Sequence, residues 1–147
     1  MQQNLGKVLI IDDDPDFVNY VRMVLEKRGH EVIGITQCPE GIEAARTQRP
    51  AVILVDLLMA PEDGFAVCDE LRSSPETRQS AILVVSAIGQ KMHKTFASPD
   101  VGGRLDVDGF LEKPIEPDVL VRTVDEMFAL ARSRTRTPCP GTEEEET

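Results

Sequence analysis

Ala51-Val52-Ile53-Leu54-Val55-Asp56-Leu57-Leu58-Met59-Ala60-Pro61-Glu62-Asp63-Gly64 decides the fold. An apolar run enters a single carboxylate, and a Pro/Asp/Gly loop follows. An unbroken apolar run between turn residues reads as a strand buried on both faces of a parallel sheet. In open α/β sheets the ligand lies outside the carboxyl ends of the strands. Asp56 stands at that edge.

Upstream, Lys7-Val8-Leu9-Ile10-Ile11 is a second run of this kind, ending in Asp12-Asp13-Asp14. Asp14 suits a helix N-cap and Pro15 the first helical position. Phe17, Val18, Val21, Val24 and Leu25 recur at helical spacing, and Gly29 stops that helix. Glu31 to Ile35 forms another strand. Pro39 opens a helix that ends near Arg49-Pro50. Downstream, Phe65 to Leu71 is helical. Ala81 to Ser86 and Gly109 to Glu112 are strands, and Pro117 opens a last helix with Leu120, Val121, Val124, Met127, Phe128 and Ala131 inward. Between Ser86 and Phe110 the spacing predicts a short helix from about Ile88 to Ala97, then a loop containing Pro99 and Gly102-Gly103. Strand and helix alternate with short connections, which implies a doubly wound parallel sheet.

The chain has 147 residues, the size of one domain with one core. Its net charge is −10; Glu143 to Glu146 carry four of those charges, leaving the rest at −6. This argues against nucleic-acid binding, which calls for a basic face, and suits divalent cations or basic partner surfaces. Cys38, Cys68 and Cys139 lack metal-like spacing, and Cys68 is expected inside. Free thiols fit a reducing compartment. Met1 to Asn4 offers no signal peptide, and no apolar run reaches the ~20 residues of a membrane span. The expectation is a cytoplasmic protein that does not insert into membranes. The domain is set at 1–132, with 133–147 a disordered acidic tail. His30 and His93 read as surface residues, and neither sits in a phosphotransfer motif.

Parallel pairing would bring the strand ends together. Asp12 and Asp13 would then lie near Asp56, and crowded carboxylates need a counter-charge. Mg²⁺, with Mn²⁺ as the alternative, takes oxygen ligands and keeps open positions for phosphate oxygens. Ser86 supplies a hydroxyl and Lys113 an ammonium at the ends of the next two strands. Together they would neutralise charge on a phosphoryl group that Asp56 receives as nucleophile.

Four motifs in chain order resemble the receiver domain of the two-component response-regulator family, which is CheY-like. They are Val8-Leu9-Ile10-Ile11-Asp12-Asp13-Asp14-Pro15, then Ile53-Leu54-Val55-Asp56 with Met59 and Asp63-Gly64, then Leu83-Val84-Val85-Ser86-Ala87, and Phe110-Leu111-Glu112-Lys113-Pro114. The resemblance covers about residues 5 to 132. It implies a flavodoxin-like sheet of five parallel strands in the order 2-1-3-4-5. It makes Asp56 the phosphoacceptor, with Ser86 and Lys113 on the phosphoryl group. Asp12 and Asp13 become the metal pair, Asp13 the more direct ligand, with the Leu58 carbonyl and Asp56 completing the set. Phe110 takes the place of a switch aromatic, and Lys113-Pro114 is expected to be cis. Leu58 and Ile88 occupy the positions that tune dephosphorylation. Neither can orient a water, so slow autodephosphorylation follows.

The chain departs from the family at Ala60, where proline is usual and has moved to Pro61, and in the length from Ser86 to Phe110. The implied role is a single-domain response regulator, a signalling domain and not an enzyme in the ordinary sense. A sensor histidine kinase or phosphotransfer protein would donate the phosphoryl group, and a downstream protein would read it. The alternative is a haloacid-dehalogenase-like Mg²⁺-dependent phosphatase using Asp12, although Asp12-Asp13-Asp14-Pro15-Asp16 lacks that group's follow-on pattern. A flavodoxin-like cofactor binder is disfavoured, because three aspartates would repel a bound phosphate.

Overall fold

A computed structural model describes residues 6–56, 64–86 and 107–136. The elements run β1 (Lys7–Ile11), α1 (Pro15–Lys27), β2 (Glu31–Ile35), α2 (Cys38–Gln48), β3 (Val52–Asp56), α3 (Gly64–Ser73), β4 (Ala81–Ser86), β5 (Gly109–Glu112) and α4 (Pro117–Arg136). All strand pairs are parallel, and the order is β2-β1-β3-β4-β5. This is the doubly wound sheet expected from the sequence. The helix expected at 88–97 lies outside the described residues.

Alternate residues of the central strands feed two cores, because successive side chains point to opposite faces. Val8, Ile10, Leu54, Leu83 and Val85 pack with α1 and α4. Leu9, Ile11, Ile53, Val55, Ile82 and Val84 pack with α2 and α3. The three inner strands are buried along nearly their whole length. That is why they read as unbroken apolar runs. Burying one such side chain contributes about 1.5–3 kcal/mol, more than the ~1 kcal/mol of a helix cap, so core packing outweighs the caps.

The helix ends follow local chemistry. Asp14 caps α1, its carboxylate accepting from the Asp16 N–H at 3.0 Å. Gly29 takes φ 101° just after α1, and Arg49 closes α2 in the left-handed region at φ 49°. The last helix continues to Arg136, so the boundary set at 132 falls inside it; residues 137–147 lie outside the described set. Cys68 is buried as expected, and burial pushes its thiol up to about 12. Among the described residues no helix is long and apolar enough to cross a membrane.

His30 corrects the surface expectation. Its ring is buried, stacked on Phe128 at 4.7 Å between centroids, because α4 lies across the turn after α1. Burial holds its pKa below the usual histidine range, against the opposing pull of Asp125 at 3.8 Å.

At the opposite edge of the sheet from Asp56, Asp108 ties three elements together. Its carboxylate accepts from the Ile82 N–H at 2.9 Å, from Arg72 at 2.9 Å and from both terminal nitrogens of Arg134. Burial alone would raise this carboxyl, but the hydrogen bonds from Arg134, Ile82 and Arg72 outweigh it and hold it below the usual range. A depressed folded-state pKa means stability that is present above the unfolded pKa of about 4 and is lost as pH falls toward the folded value. Asp108→Asn should therefore flatten the acid limb of a plot of urea midpoint against pH between about 5 and 2. An acid limb unchanged by the substitution would contradict this.

Candidate functional site

The strand register assembles the site. Ile11 is level with Val55, so the next residues, Asp12 just past β1 and Asp56 at the end of β3, stand side by side. Asp56 is level with Val85, which brings Ser86 one step beyond it. Ser86 pairs with Glu112, and the Lys113 N–H donates to the Ser86 carbonyl at 2.7 Å. Lys113 is thereby fixed at the rim, and the Lys113–Pro114 peptide is cis as expected.

Carboxylate oxygens of Asp12, Asp13 and Asp56 lie within 4.8 Å of one another. Asp12 is fully buried, Asp56 nearly so, and Asp13 exposed. Lys113 Nζ donates to Asp12 Oδ2 at 2.8 Å and lies 3.5 Å from Asp56 Oδ2. The other Asp12 oxygen accepts from the Asp14 N–H at 2.9 Å, which joins the site to the start of α1. Asp12 is raised to about 6. Burial is the largest cause, Lys113 and the Asp14 N–H oppose it, and the neighbouring Asp56 adds to it.

This donor set fits a hard divalent cation: clustered carboxylate oxygens, one of them solvent-facing, with like charge to be neutralised. Ser86 is fully buried at the end of β4. Phe110 is partly buried and packs on the α2/α3 side of the sheet. Leu58, Ile88, Ala60 and Met59 lie outside the described residues.

Sequence reasoning missed two neighbours of this cluster. The Phe17 ring lies under Lys113, with Nζ 4.2 Å from its centroid, and the Tyr20 hydroxyl donates to the Ile115 carbonyl at 2.5 Å. Phe17 read only as the inner face of a helix, and Tyr20 carried no reading at all. No local pattern marks a contact across so many residues.

A parallel sheet of order 2-1-3-4-5 with carboxylates, hydroxyl and ammonium gathered at its carboxyl edge defines a CheY-like signalling domain. The chain belongs to the response regulator receiver domain family, whose model matches residues 8–125. It is similar to Protein PilH of Pseudomonas aeruginosa, 28% identical over 125 residues, covering 85% of this chain and 99% of that protein. It also resembles the DNA-binding dual master transcriptional regulator RpaA of Synechocystis, 32% identical over 132 residues, which cover 90% of this chain but 50% of RpaA. The chain thus spans nearly all of one relative and half of another. Among solved structures, the chemotaxis response regulator CheY4 of Vibrio cholerae superposes with a TM-score of 0.74 at 25% identity, covering 84% of this chain and 99% of that one.

Proposed function

We propose that Asp56 is the phosphoacceptor of this receiver. The donor is the phosphohistidine of a sensor histidine kinase or of a phosphotransfer protein. An Asp56 carboxylate oxygen attacks phosphorus. The phosphorus–nitrogen bond of the donor breaks, its electron pair stays on the imidazole, and that nitrogen takes a proton. The product is an acyl phosphate on Asp56. The observation that carries this reading is the Lys113 ammonium 3.5 Å from Asp56 within a group of three clustered carboxylates.

Asp12, Asp13 and Asp56 would hold Mg²⁺, or Mn²⁺, with the Leu58 carbonyl. Such an ion neutralises phosphoryl oxygens as charge moves between donor and acceptor. Lys113 meets the same group from the other side, and the Ser86 hydroxyl donates to it. Phosphorylation then acts through Ser86 and Phe110 on the surface that a downstream protein binds. Leu58 and Ile88, both apolar, leave water unactivated, so the acyl phosphate decays slowly. The receiver surface is itself the output in this reading, which the match along almost all of PilH supports. Asp12 is fully buried, and each of its oxygens already accepts a hydrogen bond. That weighs against the phosphatase alternative.

The test is a titration with Mg²⁺ and then beryllofluoride, an acyl-phosphate mimic, followed by amide NMR. The largest shifts should surround Asp56, Ser86 and Lys113, and beryllofluoride should bind only when Mg²⁺ is present. Shifts centred on Asp12 and the start of α1, with Asp56 unmoved, would refute the assignment.

A further inference from the structure

Lys113 has three donor directions to fill. One hydrogen bond goes to Asp12 Oδ2 at 2.8 Å, and Asp56 Oδ2 lies at 3.5 Å. The remaining side faces the Phe17 ring, whose centroid is 4.2 Å from Nζ. The Lys113 side chain is 16% exposed, so little water competes for that face. Phe17 itself is held firmly. It sits in the first turn of α1, whose start is tied to the site through the Asp14 N–H on Asp12. It packs against the α1/α4 core and lies 6.1 Å from the Tyr20 ring. One turn later the Tyr20 hydroxyl grips the Ile115 carbonyl, two residues beyond Lys113.

We infer that Phe17 is a positioning residue of this site: its ring seats the Lys113 ammonium, and with Tyr20 it makes α1 a bracket that aims Lys113 at the group carried by Asp56. The inference rests on the phosphoacceptor reading of Asp56 and adds a residue to it. The physical logic lies in what a ring face offers. Its quadrupole attracts an ammonium, but it offers no strong acceptor that would fix the donor directions. Nζ can therefore slide from Asp12 toward the Asp56 side as negative charge arrives there, without losing the attraction behind it. A carboxylate or carbonyl in the same place would compete with the phosphoryl oxygens for the ammonium. An aliphatic side chain would fill the space and leave the attraction out.

The experiment compares the full-length wild type with Phe17→Leu and Phe17→Tyr. Beryllofluoride is titrated at saturating Mg²⁺, Mg²⁺ is titrated alone, and the Lys113 side-chain protons are followed by NMR. Phe17→Leu should weaken beryllofluoride binding about fivefold. It should leave Mg²⁺ affinity unchanged and abolish the upfield ring-current shift of the Lys113 Hε protons. Phe17→Tyr keeps the ring face and should restore both. A wild type that binds beryllofluoride while Phe17→Leu binds it equally well overturns the inference and leaves the reading of Asp56 standing. Equal losses in the leucine and tyrosine variants also overturn it, since that pattern reports packing alone. Should Phe17→Leu not fold, the wild-type Hε shift decides, and its absence counts against the bracket. A wild type that takes no beryllofluoride removes the reading of Asp56 and this inference with it.

Discussion

Asp56→Asn should take up no phosphoryl group from a small donor such as acetyl phosphate, whereas the wild type should be labelled at that one residue. Asparagine is close to aspartate in size and can accept the Lys113 ammonium through its carbonyl oxygen, so the fold should survive. What it loses is the anionic nucleophile. An amide oxygen carries no full charge, and its attack on phosphorus would not give an acyl phosphate. The substitution also removes one carboxylate from a group held within 4.8 Å. Mg²⁺ affinity should fall as well, because the electrostatic case for a divalent ion weakens with each negative charge removed. Intact-protein mass after incubation with donor and Mg²⁺ is the measurement. Label persisting in the variant, or wild-type label mapping to Asp12 or Asp13, would remove Asp56 from its role.

Lys113→Ala should move two quantities in opposite directions. Phosphoryl uptake should fall by roughly 100-fold or more, the scale seen when a preorganised donor to developing negative charge is removed. Mg²⁺ affinity should rise. In the free site the ammonium already neutralises Asp12 at 2.8 Å and sits 3.5 Å from Asp56, so it competes with the ion for the same oxygens. Removing it frees oxygens of that carboxylate pair for the metal. A loss of both affinities would indicate collapse of the rim, not loss of a charge. Lys113→Arg should not rescue uptake. A planar guanidinium is wider than an ammonium and presents its donors in a fixed fork. The rim is tied to β4 through the Ser86 carbonyl at 2.7 Å, which leaves little room to adjust. Comparing metal titrations with phosphorylation rates for the two variants separates charge from shape.

Much of this site was legible before any coordinates. A strand buried on both faces has to be apolar throughout, so the first polar residue after each run marks the edge of the sheet. Asp12, Asp56 and Ser86 follow or end such runs, Lys113 comes after Glu112 at the end of the partly buried β5, and β1, β2, β4 and β5 fall on the ranges read from the pattern. His30 misled because it lies between Gly29 and Glu31, a local context that reads as an exposed turn. Its burial comes from α4, about a hundred residues later, with Phe128 stacked on the ring. Asp108 gave no signal either, since its partners Arg72 and Arg134 belong to two different helices.

The sequence alone therefore determined the alternation of elements, the residues at the carboxyl edge and the chemistry those residue types can perform. These depend on hydrophobic periodicity and on local turn and cap preferences, which act over a few residues. Tertiary structure decided which side chains meet: the Phe17 ring beneath Lys113, Tyr20 on Ile115 and two arginines on Asp108. Those contacts join residues far apart in the chain. They exist only once parallel register and helix packing have fixed the distances, and a linear pattern carries no record of a distance.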